Sequence, residues 1–314
     1  MPSKMRYELT LDKAHEMCKK YKLKTPLQVT RIEKGMTNDV FLLDDVYVVK
    51  IATYYADLVD LGKENGVYNR LQKAHVPSPR VYGYDDSKTI IPYVYIILEK
   101  VKGFPLDDRW SSFSEEEKEA LMVEMGQILA QIHLISFPQF GERFSDGQFQ
   151  GPEKYKDFLK MYVAKILREV GQSGLLSQEK IEKTKFFFEN TSLFDISIKS
   201  SLTHLGFNFS DFLVENGKII GVIDWEWARS AHNEEDLAIF FYRVLKMDAK
   251  LIQTFRSSYE KVHKLDEEFE RRLYLYNFLY YLRVLPQIVR WDHRPDKQKE
   301  YVEKVNELYT RIIA

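Results

Sequence analysis

The chain predicts an α+β protein of two lobes, an antiparallel β lobe over residues 1–101 and a mostly helical lobe over residues 102–314. Three observations predict it. Between residues 27 and 99, short alternating or apolar runs are separated by turn residues, the pattern of strands joined by tight connections. From Ser114 onward the apolar spacing takes a helical period. A chain of 314 residues, 45% of them hydrophobic, is long enough to bury two cores.

In the first lobe, residues 10–22 read as a helix. Thr10 or Asp12 is placed to cap it, and Leu11, Ala14, Met17 and Cys18 share a face. Thr25-Pro26 ends it. Residues 27–33 alternate as a strand, Lys34 to Asp39 form a turn, and Val40 to Leu43 form a second strand. Asp44-Asp45 turns the chain into a third strand, Val46 to Ala52, which completes an antiparallel meander. Lys50 interrupts that otherwise apolar strand. It is either an outward-facing residue on a half-exposed sheet or a cation aimed at phosphates. Residues 57–74 form a helix with Leu58, Leu61, Val67, Tyr68 and Leu71 as its apolar positions, and it carries Glu64, a partner for Lys50. Pro77 and Pro79 mark a loop. Residues 81–84 and 93–99 are two more strands. The run Leu98-Glu99-Lys100-Val101-Lys102-Gly103 then leaves the sheet, and the lobe boundary falls there.

The helical lobe opens with Ser114 and Glu117 in capping-box spacing. Leu121, Met125, Ile128, Leu129 and Ile132 extend a helical stripe to Ile135. His133, on the same stripe, reads as a packed, hydrogen-bonded histidine rather than a ligand. Residues 136–152 are irregular. Residues 153–170 and 177–190 are helices joined through Gly171 and Gly174. From Leu202 to Trp225 a polar loop leads into an apolar run, an Asn216-Gly217 turn and a second apolar run that ends on Asp224, which is a β-hairpin pattern. Its open ends carry Gly206 to Asp211 on one side and Asp224 on the other, so pairing brings distant polar groups together. Helices follow over 236–245, 248–263, 266–293 and 295–312. The aromatic-rich stretch 273–291 carries rings on several faces and reads as a buried helix, with a ligand cage as the alternative.

Composition narrows the function. Net charge is −1 and the pI about 6.7, so no global basic field points to nucleic acid. No run approaches 18 apolar residues, so no membrane span is expected. The N-terminus lacks the apolar centre of a signal peptide. Cys18 is the single cysteine, which excludes an internal disulfide and suits a reducing compartment. A cytoplasmic protein, monomeric or weakly dimeric, is the expectation.

The order of parts narrows it further. A glycine turn (Gly35), a strand lysine (Lys50), a helix glutamate (Glu64), a strand-to-linker exit (Glu99 to Gly103) and a hairpin aspartate (Asp224) follow one another as in protein-kinase-like phosphotransferases. Ile220 to Glu226, followed by Glu235-Asp236-Leu237-Ala238, resembles the aminoglycoside phosphotransferase and choline-kinase-like family. His204 falls where that family's His-x-Asp-x-x-x-x-Asn loop begins. Gly35 to Phe41 resembles its phosphate loop, and Leu98 to Gly103 resembles its hinge. Leu129 to His133 and Arg272 to Tyr276 also look like family features. The resemblance spans roughly residues 27–290. It implies a two-lobed protein-kinase-like fold and phosphoryl transfer from ATP or GTP to a small hydroxylated acceptor, aminoglycoside-like compounds included. It also implies residue roles. Gly35 and Asn38 lie in the phosphate loop. Lys50 holds the α- and β-phosphates and is braced by Glu64. Glu99 and Val101 present backbone groups to adenine. Asp224 and Asp211 hold Mg²⁺, and Asp236 braces the loop at His204.

The same alignment shows departures. Gly206 stands at the catalytic aspartate, Asp211 at the asparagine, Phe209 at a frequent proline, and Ala231-His232-Asn233 at the usual Gly-Asp-Pro. Glycine cannot accept a proton or orient a hydroxyl. Two expectations follow: a phosphotransferase with an altered loop, or a pseudokinase-like protein that binds nucleotide or small molecules without efficient turnover. Transfer of another part of the nucleotide, such as the nucleotidyl group, is a third.

Overall fold

The computed structural model describes residues 7–32, 38–53, 60–291 and 295–313. The chain forms two compact units. The first comprises Met1–Ile132, Phe144–Gly147 and Phe209–Ala228, the second His133–Arg143, Gln148–Asn208 and Arg229–Ala314.

The first unit is built on a five-stranded antiparallel sheet of β1 (Val29–Ile32), β2 (Asp39–Leu43), β3 (Tyr47–Ile51), β4 (Val81–Asp85) and β5 (Tyr95–Glu99), in the order β1-β2-β3-β5-β4. Asp44 and Asp45 both take left-handed backbone angles, φ 50° and 54°. They are the two central residues of a turn closed by Val46 N–H donating to the Leu43 carbonyl at 3.0 Å, a geometry that matches right-handed strand twist and that aspartate tolerates. One face of the sheet (Phe41, Leu43, Val49, Ile51, Tyr95, Ile97) closes on α1 (Leu11–Lys20), which buries Ala14, Met17 and Cys18. Of the two candidate caps, Thr10 serves, accepting the Lys13 N–H at 3.3 Å. In β3 the alternation fails, because Val49, Lys50 and Ile51 are all buried.

Helix α2 (Leu61–Lys73) starts four residues later than its apolar pattern predicts. Asp60 caps it, accepting the Lys63 N–H at 2.9 Å, and the expected position Leu58 lies outside the described residues. Helix α3 (Glu115–Ile132) forms the reciprocal capping box: Glu117 N–H donates to Ser114 Oγ at 3.2 Å, and Ser114 N–H to the Glu117 carboxylate at 2.8 Å. The predicted hairpin also belongs to this unit. Phe212–Glu215 pairs with Lys218–Val222 through Asn216 and Gly217, both left-handed, and on its other edge with β6 (Phe104–Pro105).

The second unit holds α4 (Tyr155–Ser173), α5 (Gln178–Asn190), α6 (Glu234–Ile239), α7 (Ala249–Tyr259), α8 (Phe269–Trp291) and α9 (Pro295–Ile312). Helix α8 packs against α4, α6 and α9 and buries Leu273, Leu275, Phe278, Leu279, Leu282 and Leu285. The single helix expected over 236–245 is instead α6, starting two residues earlier and running into a π-helical turn, Phe240–Val244. Ser201–Thr203 and Arg229–Ala231 form a two-stranded antiparallel ladder. All six residues are buried, so neither segment shows the alternation that marks a strand in sequence.

Candidate active site

In the first unit, adjacent positions of three elements converge. Strand β3 supplies Lys50, α2 supplies Glu64, and the end of the hairpin supplies Asp224. Lys50 Nζ donates to Glu64 Oε2 at 2.8 Å and Oε1 at 2.9 Å, and to Asp224 Oδ1 at 3.3 Å. The Lys50 and Glu64 side chains are 11% and 0% exposed, while that of Asp224 is 52% exposed. Lys50 therefore does not face solvent from a half-exposed sheet. Burial alone would lower its pKa, but the carboxylates of Glu64, Asp224 and Glu226 outweigh it and hold the ammonium above the usual lysine range. The Tyr68 hydroxyl is pushed up, first by burial and then by Glu64 and Asp224.

Asp224 takes a left-handed conformation, φ 70° and ψ 54°, immediately before the short 3₁₀ turn Trp225–Trp227. A non-glycine residue in that region is strained by about 1–2 kcal/mol and persists only when its surroundings fix it. Here Trp225, fully buried, anchors the turn by donating its indole N–H to the Val222 carbonyl at 3.2 Å. Beyond it, Glu226 accepts from Asn38 Nδ2 at 3.1 Å, which ties the residue before β2 to the Asp-Trp-Glu turn. The other end of the hairpin lies beside Asp224: Ile223 N–H donates to the Asp211 carbonyl at 2.9 Å. Asp211 itself is buried, with Ser210 Oγ donating to its carboxylate at 3.1 Å. Its donor chemistry, like that of Asp224, is hard carboxylate oxygen. Among the described residues no group of three or more His, Cys, Asp or Glu forms a complete cation cage. A pair of carboxylates with substrate phosphates is instead how Mg²⁺ is usually held.

Glu99 and Val101 lie at the exit of β5. Val101 N–H donates to the Glu99 carbonyl at 3.1 Å, while Glu99 N–H and Lys100 N–H are taken by the carbonyls of Arg80 (2.8 Å) and Val46 (2.9 Å). Gly35 lies outside the described residues.

In the second unit, the Ser201–Thr203 strand delivers His204, Leu205 and Gly206. Asp236, 0% exposed, accepts the His204 N–H at 2.8 Å and the Leu205 N–H at 2.7 Å, and meets His133 Nε2 at 3.2 Å. His133 Nδ1 reaches the Tyr259 hydroxyl at 2.8 Å, which also accepts from Asn233 Nδ2 at 2.7 Å. His133 is thus the packed, hydrogen-bonded residue its stripe suggests. His204 is 2% exposed, and its ring stacks on Phe207 at 4.5 Å. Leu205 is left-handed, φ 62°. Gly206 has no left-handed angle, and a Cβ placed there would meet nothing nearer than His204 Nδ1 at 3.7 Å, an ordinary contact. The backbone at position 206 therefore accommodates a Cβ and does not demand glycine.

Beside this loop, still in the second unit, a recess of about 10 Å³, room for about one water, is lined by Leu205, Tyr162, Arg229, Glu235, Tyr276 and Arg283, among others. Sequence reasoning passed over Arg229 and Leu205. Both lie in segments whose conformation is set by tertiary pairing, and the one available signal was the charge of Arg229 among the small residues Ala228, Ser230 and Ala231.

Fold and site together define a kinase-like small-molecule phosphotransferase architecture, and comparison with known proteins agrees. The model of the phosphotransferase enzyme family known as APH matches residues 28–274. The chain belongs to that family. Among solved structures it is similar to the gentamicin complex of APH(2″)-IIa (18% identity, TM-score 0.71, covering 96% of this chain and 97% of that one). ADP-bound APH(2″)-Ib is similar too (20% identity, TM-score 0.65, 96% and 97%). So is a thermostable mutant of APH(4)-Ia in ternary complex with ADP and hygromycin B (18% identity, TM-score 0.68, 95% and 97%). No described helix is long and apolar enough to cross a membrane.

Proposed function

We propose that this protein transfers the γ-phosphoryl group of ATP or GTP, as its Mg²⁺ complex, to a hydroxyl of a small molecule. Residues 1–101 act as the nucleotide lobe and residues 102–314 supply the loop and the acceptor site. The observation that carries the reading is the buried Lys50–Glu64 pair directed at a half-exposed Asp224. Leaving Asp224 Oδ1 for a phosphate oxygen would keep Lys50 charge-paired through Glu64, so the cation is held ready without a protonation step. Asp224 and Asp211 would hold Mg²⁺, which neutralises charge on the β- and γ-phosphates. The 3.1 Å bond between Val101 N–H and the Glu99 carbonyl would open to give a purine edge one donor and one acceptor. Gly35 and Asn38 would close over the phosphates. Structural relatives solved with ADP, and with aminoglycosides such as gentamicin and hygromycin B, support this class of reaction.

Gly206 favours a second reading, that of a nucleotide-binding protein with little turnover. Removing a general base typically costs about 10²–10⁴-fold, but phosphoryl transfer draws most of its rate from positioning and charge neutralisation. Loss of the carboxylate therefore slows the reaction without abolishing the site. The substitution Gly206→Asp separates the two readings, since a Cβ at that position makes only an ordinary contact. Phosphotransferase function predicts that Mg-ATP raises the melting temperature of both proteins and that G206D turns over nucleotide about 10²–10⁴ times faster. Nucleotide binding with no gain in G206D would establish the binding-protein reading. Absence of any Mg-nucleotide shift would reject both.

A further inference from the structure

Helix α2 carries a glycine in the middle of its length, Gly66. Proline apart, glycine is the poorest helix former, so a glycine there calls for a reason in packing. The reason is Phe144. A Cβ at position 66 would lie 2.4 Å from Phe144 Cε1 and 2.5 Å from Cζ, so the tip of the ring fills the space that a side chain would take. One turn along the same face, Arg70 Nη2 donates to the Gly147 carbonyl. Both contacts come from one short segment, Phe144–Gly147, which belongs with α2 to the first unit. It is the tip of a hairpin of β7 (Arg143–Ser145) and β8 (Gln148–Gln150). Asp146 and Gly147 close it, both left-handed at φ 52° and 72°. A two-residue Asp-Gly turn of this kind fixes the register of its strands, and with it the place at which Phe144 is presented.

Glu64 lies two residues before Gly66, about 200° around the helix, on the face turned to Lys50. Its oxygens accept from Lys50 Nζ at 2.9 and 2.8 Å, distances that weaken if the helix slides or turns by a fraction of a residue. Helix α2 is thus held on opposite faces, by the Lys50 ammonium on one and by the hairpin tip on the other. From this we infer that the Phe144–Gly147 tip is a positioning element for the nucleotide site. Phe144 seated at Gly66, with Arg70 on Gly147, keeps α2 where Glu64 holds Lys50. Asp224 is then spared as a counter-ion and stays available to a metal. Phe144 acts here through α2, not on the nucleotide. The inference rests on the nucleotide-binding reading of Lys50, Glu64 and Asp224; the seat of Phe144 at Gly66 does not depend on it.

Calorimetry with Mg-ADP on the full chain is the test. Phe144→Ala should weaken binding about tenfold, and Phe144→Leu, which still fills part of the notch, about threefold or less. The effect should not add to that of Glu64→Gln. The double variant E64Q/F144A should bind within about twofold of E64Q alone, because both changes act through one pair. Gly66→Ala serves as a second variant. Alanine is the better helix former, so its Cβ evicts the ring without weakening the helix, and binding should fall as in F144A. Binding by F144A within about twofold of wild type, or weakening that multiplies in E64Q/F144A, overturns the inference. If F144A does not fold, unchanged binding by G66A overturns it instead. A wild-type chain that binds no Mg-ADP removes the nucleotide reading and this inference with it, whereas wild-type binding that ignores the tip removes this inference alone.

Discussion

The two units treat their share of the site differently. In the first, the polar groups proposed to serve phosphoryl transfer are held by side-chain pairing: Lys50 on Glu64 and Asp224, Asn38 on Glu226. In the second, Gly206 offers no carboxylate, yet the loop that carries it is held by two backbone N–H contacts to one buried aspartate, Asp236, which also meets His133. The loop is thus braced although position 206 carries no functional side chain. Loop shape and loop chemistry are separable, because the first resides in backbone N–H groups and the second in one side chain.

Breaking the brace is the most severe test of that comparison. Asp236→Ala leaves the His204 and Leu205 N–H groups buried without their acceptor and removes the partner of His133 Nε2. Breaking a buried charged network costs about 3–5 kcal/mol. A fall of that size in urea unfolding is expected, together with loss of the left-handed Leu205. A change below about 1 kcal/mol would mean that the Ser201–Thr203 ladder, not Asp236, holds the loop.

Much of this contrast could be read in the sequence, and the part that could not has physical reasons. The meander, the capping box at Ser114, the 212–222 hairpin and the long buried helix near 273–291 all follow from local spacing. Lys50 was ambiguous because one lysine in an apolar strand looks the same whether its neighbour is water or Glu64. The Ser201–Thr203 and Arg229–Ala231 strands escaped notice because three buried residues have no alternation to show. Arg229 escaped for the same reason, since its role comes from partners in α4 and α6 (Tyr162 and Glu235) that only tertiary packing supplies. Gly206, by contrast, was visible at once, because a missing functional group registers in an alignment even when the backbone gives it no geometric reason.

The acid limb of stability should separate the units more gently. Burial, then Arg272 and His133, push the His232 pKa down to about 3. Its ring is 2.7 Å from the Tyr276 hydroxyl and is held neutral in the folded state. The unfolded histidine titrates near 6.5. Because the folded pKa lies below the unfolded one, this stability is complete above about pH 6.5. It is lost progressively as pH falls toward 3, at about 1.4 kcal/mol per pH unit. Between pH 6.5 and 5 the loss attributable to His232 is about 2 kcal/mol. Stability measured across that range should slope accordingly, and His232→Asn should flatten it. An unchanged slope in the variant would show that His232 is not the group that titrates.

The smallest effect sharpens the first unit. Glu64→Gln keeps the shape of the Lys50 partner and removes its charge. Lys50 is not left alone, since Asp224 Oδ1 remains at 3.3 Å, so the stability cost should be about 1–3 kcal/mol rather than the full cost of an unpaired buried ion. Binding should respond more clearly than folding. With Glu64 neutral, the ammonium depends on Asp224 for its counter-charge, and Asp224 is the carboxylate proposed to hold Mg²⁺. Lys50 and the metal would then compete for one oxygen donor that Glu64 normally spares. The expected result is about a tenfold weaker Kd for Mg-ADP, roughly 1.4 kcal/mol, with a much smaller change for ADP without Mg²⁺. Equal weakening with and without the metal would place the effect on the phosphates alone, and Glu64 would then serve only to aim Lys50, not to keep Asp224 available.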